Sequence, residues 1–462
     1  MKTKKVISAI CAFLSIWNIS IAQFADFRNY PVTVTPHESA DSTRGHFWGY
    51  MFGSYYTKVH ADTSGGGGSG RGISQYGQVP KGSNAFAFQR VYLGYDYFFN
   101  KQFSVHAVMA HEEFQDYSFH NAGADQNYNR IFFLKYANME WENFLNTHLR
   151  LTVGAQTTPA FAITEEPFWG YRSIDRTIMD MKSIVSSNDV GANIGGKIWS
   201  KKDDAGTEKA CMGFNFMIGN STGSVPDIVG ITLDYTVWKK YYGDIYLKFL
   251  NDKLVLDLYG DGHTYSWANI PTTGPSGATT GREIHQYEIT ERLFLGYKAK
   301  NFNISVAYFQ QLNKNMICEV GEIGNQGVPI AGDTTDCTRT GFSVMAAAIL
   351  KRDKKTGDPE FSLFGMFDSY NPQTEYNPNI LYQPGGAVVN SEQVNLVNSV
   401  TETYFVAGID YQPIKQIHFM PNVWYNGIHD RSYDNVPTAW ATEKNSYDLV
   451  LRITFYYQFF KN

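Results

Sequence analysis

Charge is scarce in this 462-residue chain, where Asp, Glu, Lys and Arg together make up 18%, and no basic excess exists: the pI is near 6.1 and the formal net charge is -5. Nucleic-acid binding by an electropositive surface is thereby excluded. Long apolar runs are missing beyond the first 22 residues, and the mean hydropathy is -0.32. A bundle of transmembrane helices, each needing about 20 apolar residues, is excluded as well. What the chain has in quantity is rings, with 16% aromatic residues. Disordered sequences lack them, so the composition describes a β-rich protein that places aromatic side chains on an outer surface.

The N-terminus gives the compartment. Lys2, Lys4 and Lys5 precede an apolar run from Val6 to Ile19, and Ser20-Ile21-Ala22 is a small-x-small cleavage site. This pattern predicts a secretory signal peptide over residues 1–22, with the mature chain starting near Gln23. Its removal takes Cys11 and three lysines, lowering the formal charge from -5 to about -8. Residues 23–45 are expected to form a periplasmic segment and residues 46–462 a transmembrane β-barrel, since only helices and closed barrels cross a membrane.

Alternation with period two carries the barrel assignment. From Tyr447 to Phe459 every second residue is apolar or aromatic (Tyr447, Leu449, Leu451, Ile453, Phe455, Tyr457, Phe459), while Asp448, Val450, Arg452, Thr454, Tyr456 and Gln458 lie between them. One face suits lipid and the other water. The rhythm recurs in Val91–Tyr97, Leu149–Ala155, Ile245–Phe249, Leu254–Leu258 and Phe302–Tyr308. Glu291 interrupts the apolar face of Tyr287, Ile289, Leu293 and Leu295, which predicts a bulge or a strand end there.

Strands are expected near 46–60, 84–99, 102–116, 128–142, 147–157, 189–199, 209–219, 240–250, 253–265, 284–299, 302–313, 341–351, 359–369, 401–411, 416–427 and 446–460. The connections alternate tight turns (Asn100-Lys101, Asn251-Asp252, Lys300-Asn301) with long loops at 61–83, 158–188, 314–340 and 370–400. Short periplasmic turns and long extracellular loops are the outer-membrane arrangement, and an even count of about 16 leaves both termini in the periplasm. A barrel of that size encloses an aqueous lumen. Its inward wall is expected to carry Arg90, Arg150, Lys197, Lys248, Lys253, Arg292, Lys298 and Arg452 against Asp96, Glu140, Asp244, Asp257, Glu288, Asp410 and Asp448.

The third long loop, Thr158 to Asn188, mixes Phe161, Phe168, Trp169, Tyr171, Ile174, Ile178, Met179 and Met181 with Arg172, Asp175, Arg176, Asp180 and Lys182. Such a segment seeks burial, which the lumen offers; the alternative is an extracellular cap packed on neighbouring loops. An inward-folding third loop would narrow the pore with Arg172, Arg176, Lys182 and Asp175 at the constriction. Arg172 and Arg176, four apart, would share one side of a helical turn. The alternative is that each arginine clamps a wall carboxylate.

Phe88-Gln89-Arg90-Val91-Tyr92-Leu93-Gly94-Tyr95 resembles the first strand of the phosphate-selective porin family, porins O and P. Tyr136–Trp141 with Leu149–Gln156 and Pro159 is similar to that family's strand pair and its Val-Gly-x-x-x-x-Pro motif, and Asp189-Val190-Gly191-Ala192 to its re-entry strand. The resemblance implies a 16-stranded pore passing anions, commonly as a homotrimer, with Arg172, Arg176 and Lys182 as the loop's basic contribution. The solutes expected are small hydrophilic molecules or ions, within the lipid of a Gram-negative outer membrane. A surface receptor or adhesin working through its long loops is the alternative class.

No enzyme or cofactor site is expected. Gly65–Gly70 precedes no helix, His111-Glu112-Glu113 lacks the second histidine of a zinc protease, and Asp257–Gly262 lacks the glutamate of a calcium loop. Of the three remaining cysteines, Cys318 and Cys337 fall in one long extracellular loop and are expected to pair, leaving Cys211 free on the lumen face.

Overall fold

The computed structural model describes residues 45–62, 76–77, 79–112, 132–204, 206, 208–221, 239–273, 279–323, 329–376, 382–384, 400–431 and 445–459; the side chains of 165–166, 265–286, 315–335 and 382–384 are outside that description. The signal peptide and most of the expected periplasmic segment thus lie outside the described residues. Sixteen long strands run antiparallel, each bonded to its chain neighbour: β1 (Gly45–His60), β2 (Asn84–Phe98), β3 (Phe103–Glu112), β4 (Phe133–Trp141), β5 (Leu149–Thr157), β6 (Asn188–Lys202), β7 (Glu208–Gly219), β8 (Lys240–Phe249), β9 (Leu254–Thr273), β10 (Thr279–Lys298), β11 (Phe302–Ile323), β12 (Pro329–Arg352), β13 (Pro359–Asn371), β15 (Val400–Ile414), β16 (Ile417–Asp430) and β17 (Asn445–Phe459). β17 pairs back onto β1, Gly49 opposite Phe459, and closes the sheet. A three-residue strand, β14 (Tyr382–Pro384), adds to β11 at Ile317–Glu319 outside this ring.

Closure follows from the alternation. In β17 the side chains of Tyr447, Leu451, Ile453 and Tyr457 are exposed on the outer wall, while Asp448, Val450, Arg452, Thr454 and Tyr456 are buried inside. The same division holds around the ring, with Leu93, Val153, Ile245, Leu258, Leu293, Ile304, Leu363 and Ile409 exposed outside. A sheet so apolar on one face loses about 25 cal/mol per Å² of favourable burial wherever that face meets water. It matches lipid, and a closed, wholly antiparallel barrel with this outer wall is a protein of the Gram-negative outer membrane. The rim of short turns is ringed by aromatic pairs at 4.4 Å (Phe47–Tyr95), 5.1 Å (Phe103–Trp141), 5.8 Å (Tyr297–Phe302) and 4.8 Å (Phe361–Tyr411) between centroids, a girdle at the membrane–water boundary. The turns themselves are built for tightness: Asn100 Oδ1 accepts from the amides of Gln102 and Phe103, and Leu250, Asn251 and Asp252 all adopt positive φ.

The structure corrects three sequence expectations. First, the loop expected at 314–340 is largely strand, because β11 and β12 continue to Ile323 and from Pro329, and β9 and β10 likewise outrun their expected ends. Above the lipid the strands no longer need one apolar face, so period two fades while backbone pairing goes on. Second, Cys318 lies opposite Thr334 and Cys337 opposite Asn313. Three residues of β12 separate those rungs, about 10 Å at the usual strand rise, beyond the Cα span a disulfide closes. The expected bridge does not fit this register; the side chain of Cys318 lies outside the described residues, and the Cys337 sulfur donates to the Pro372 carbonyl at 3.2 Å. Third, β10 passes Glu291 without a bulge, setting it opposite Gly260 and Gln310. Gly260 faces Gly243, and this bare pair opens a depression of about 900 Å³ in the outer wall, bordered by Ile245, Leu258, Leu293 and Tyr308 as well as Glu291. Room for the carboxylate comes from missing side chains rather than from a bent strand.

Candidate functional site: the third loop and the lumen wall

The third loop, residues 158–187, folds into the barrel, where Phe161, Phe168, Trp169, Tyr171, Ile174, Ile178, Met179, Met181, Ile184 and Val185 are all buried. It has little regular structure: a π-turn at Glu165–Trp169 and one α-helical turn at Ile178–Met181. Its apolar side chains meet an inner wall that is itself aromatic on the β10–β17 side. Phe168 packs edge-on against Phe294 at 5.2 Å, and Tyr171 stacks on Phe364 at 4.7 Å. The inward faces of these strands look lipid-facing by composition; what they face is the loop.

Polar contacts fix the loop at both ends and in the middle. Arg292 binds Asp257 and the Ala160 carbonyl, Asn303 Nδ2 donates to the Phe168 carbonyl at 2.7 Å, and Gln311 Nε2 to the Ile184 carbonyl at 3.0 Å. Asp175 accepts from the Tyr404 hydroxyl at 2.8 Å and from Trp424 Nε1 at 3.1 Å, while the Arg452 guanidinium donates to the Ile174 carbonyl at 2.7 Å. Lys182 is buried in an ion pair with Glu402 at 2.7 Å. Asp175 and Lys182, expected at the constriction, therefore point into the wall and act as anchors. Of the expected wall residues, Arg292 and Arg452 do the same from the other side.

Arg172 and Arg176 point elsewhere. No regular helix joins them, yet both converge on Asp180, at 3.7 Å and 3.3 Å. Arg172 lies within electrostatic reach of Arg90, Lys135 and Glu112 on β2–β4. Glu112 accepts from Lys135 and from the Tyr92 hydroxyl. Among the described residues, four cations thus share two carboxylates where the loop faces β2–β4. Lys135 was not among the sequence candidates: alternation with Tyr136, Asn138 and Glu140 puts it on the lipid side, but a register shift at Val108/Met109 turns it inward. Glu112 was visible only as part of a rejected zinc motif. Tyr404, Trp424 and Glu402 had no sequence signal beyond their place in a strand.

Inward side chains that keep contact with solvent lie on β3–β8, where Arg150 is 37% exposed and Lys197 53%, and at the edge of the third loop, where Arg176 is 25% exposed. Between the rims this wall presents Asn138, Asn193, Asn215 and Tyr246, half-buried, with Lys248 over the Tyr246 ring. At the short-turn rim Lys197 pairs with Glu208 at 2.7 Å, and His106 bridges Asp96 and Glu140. Cys211 faces inward as a free thiol. The lumen is therefore divided into an aromatic side that holds the loop and a polar side that remains wet.

Comparison by sequence finds neither a protein-family signature nor a curated relative that matches. Comparison by structure finds outer-membrane barrels. OprB of Pseudomonas putida superposes with a TM-score of 0.54 at 8% identity, over 90% of this chain and 94% of the other. The outer membrane channel DcaP of Acinetobacter baumannii gives 0.48 at 9% identity over 90% and 97%, and an anion-selective porin from Comamonas acidovorans 0.46 at 10% over 90% and 99%. At these identities the likeness to OprB is one of fold.

Proposed function

We propose that the protein is a diffusion porin with a preference for anions, passing small hydrophilic solutes along the polar β3–β8 side of the lumen past the edge of the third loop. The observation that carries this reading is the cluster of Arg90, Lys135, Arg172 and Arg176 around Glu112 and Asp180, whose positive excess faces that side. In a narrow aqueous path, fixed charge of one sign raises the local concentration of the opposite ion and lowers its barrier. The bond between the arginines and Asp180 reduces the effect without cancelling it. Phosphate selectivity, implied by the resemblance to porins O and P, is a narrower version of the same reading, and the homotrimer belongs with it.

The test is single-channel recording in a planar bilayer under a KCl gradient. Replacing Arg172 and Arg176 together by glutamine is expected to move the reversal potential toward cations at similar conductance. A sharp rise in conductance with unchanged selectivity would mean that the arginines hold the loop and that the preference for anions is absent. A wild-type protein that passes no current in either direction would favour a surface receptor, for which the tall β9–β12 hairpins are the available feature.

A further inference from the structure

Behind the seated loop, β12 and β13 bring Ser343 and Asp368 opposite each other on the inner wall. Ser343 is 1% exposed and Asp368 2%. Among the described residues, neither carboxylate oxygen of Asp368 nor Ser343 Oγ has a hydrogen-bond partner. Buried polar groups are almost always satisfied, and an unpaired buried carboxylate is among the costliest exceptions. Here three oxygens on paired residues share the fault: the Ser343 hydroxyl is near enough to act on the carboxylate but lies outside hydrogen-bonding geometry, and among the described residues no other donor reaches it. On the Ser343 side, a small cavity of about 10 Å³ lies between wall and loop, bordered by Ser343, Thr164 and Thr177 among apolar side chains and not by Asp368 itself, room for one water-sized occupant.

The surrounding charges set the sign. The next inward residue in this row, Tyr404 on β15, gives its hydroxyl to Asp175 and not to Asp368. Lys182 is in range of Asp368 but bonds Glu402. Arg452 acts on Asp175 and bonds the loop backbone. Arg292, which also borders the cavity, is taken by Asp257 and the Ala160 carbonyl. Among the described residues around the site, the Arg292–Asp257 pair is neutral and the carboxylates of Asp368, Asp175 and Glu402 face the cations Lys182 and Arg452, one positive charge fewer than the negative ones. Oxygen donors of this kind select hard cations, and a single missing charge selects a monovalent one.

We propose that Asp368 and Ser343 hold a sodium-sized monovalent cation between the barrel wall and the third loop. The ion would satisfy three oxygens at once and tie loop to wall at a point where no side chain does. This binding does not depend on which solutes the pore passes.

The purified full-length protein in detergent provides the test, by thermal unfolding at fixed pH, chloride and ionic strength with N-methylglucamine exchanged for sodium. The expected result is a midpoint that rises with sodium and saturates, with the rise lost in Asp368→Asn and Ser343→Ala. Crystals soaked in thallous ion should show an anomalous peak between the two side chains. Equal midpoints in both salts, or a sodium effect that survives Ser343→Ala, would overturn the proposal. So would a midpoint that ignores sodium but follows pH in an Asp368-dependent way, which would mean the carboxyl carries a proton instead. If Asp368→Asn does not fold, Ser343→Ala and the thallous peak decide the matter.

Discussion

Lys182 and Glu402 show what a buried ion pair does for a loop in a lumen. Both are nearly inaccessible, and Glu402 also accepts from Asn426 Nδ2 at 2.8 Å. Replacing Lys182 by methionine keeps an unbranched stem, removes the ammonium that lies over the Tyr370 ring and leaves the Glu402 charge buried without its cation. Breaking such a pair from one side costs about 3–5 kcal/mol. The expected outcome is a loop that leaves its seat, seen as larger and noisier single-channel conductance together with a lower midpoint of thermal unfolding. Conductance indistinguishable from wild type would mean that Asp175, Arg452 and Arg292 suffice to hold the loop. Arg172 and Arg176 belong to the other class of loop cation, bonded within the loop and aimed at β2–β4, so their loss should be read in ion selectivity.

At the scale of the strand, the short elements are the sensitive ones. Gly154 in β5 has φ +122°, and a Cβ there would lie 2.3 Å from the Ala137 carbonyl of β4. Both the backbone conformation and the space exclude a side chain. Gly154→Ala should therefore lower barrel stability by about 1–3 kcal/mol, measurable as a shift in urea-induced unfolding, whereas alanine at Gly357 in the exposed β12–β13 turn meets open space and bears only the φ strain. The sequence revealed all sixteen barrel strands because each must offer lipid an apolar face at every second residue, a constraint with a simple period. It also exposed the third loop, whose Phe168, Trp169 and Tyr171 are buried most simply inside the lumen. The anchors were hidden for the converse reason: Tyr404, Trp424 and Phe364 are aromatic residues in strands, and alternation cannot say whether a ring faces lipid or a loop. Lys135 was hidden by a single register shift, and the pairing of Cys318 with Cys337 was misjudged because both were read as loop residues.

For the molecule as a whole, two environments surround one sheet, and tryptophan reports them. Trp199 is exposed on the outer wall near the short-turn rim, whereas Trp424 is fully buried against the third loop. In proteoliposomes containing lipids brominated near the headgroup, a variant retaining only Trp199 should be strongly quenched and one retaining only Trp424 should not. Equal quenching would mean the barrel is not embedded as described. The height of β9–β12 has a different bearing. A membrane crossing takes about 9–11 residues, yet these strands run to 20, 20, 22 and 24. Roughly half of each extends past a membrane crossing, where lipid dictates no residue type and the backbone pairing continues. That half can exchange its side chains with little loss of architecture, so whatever recognises the cell from outside meets the part of the chain that folding leaves most free to change.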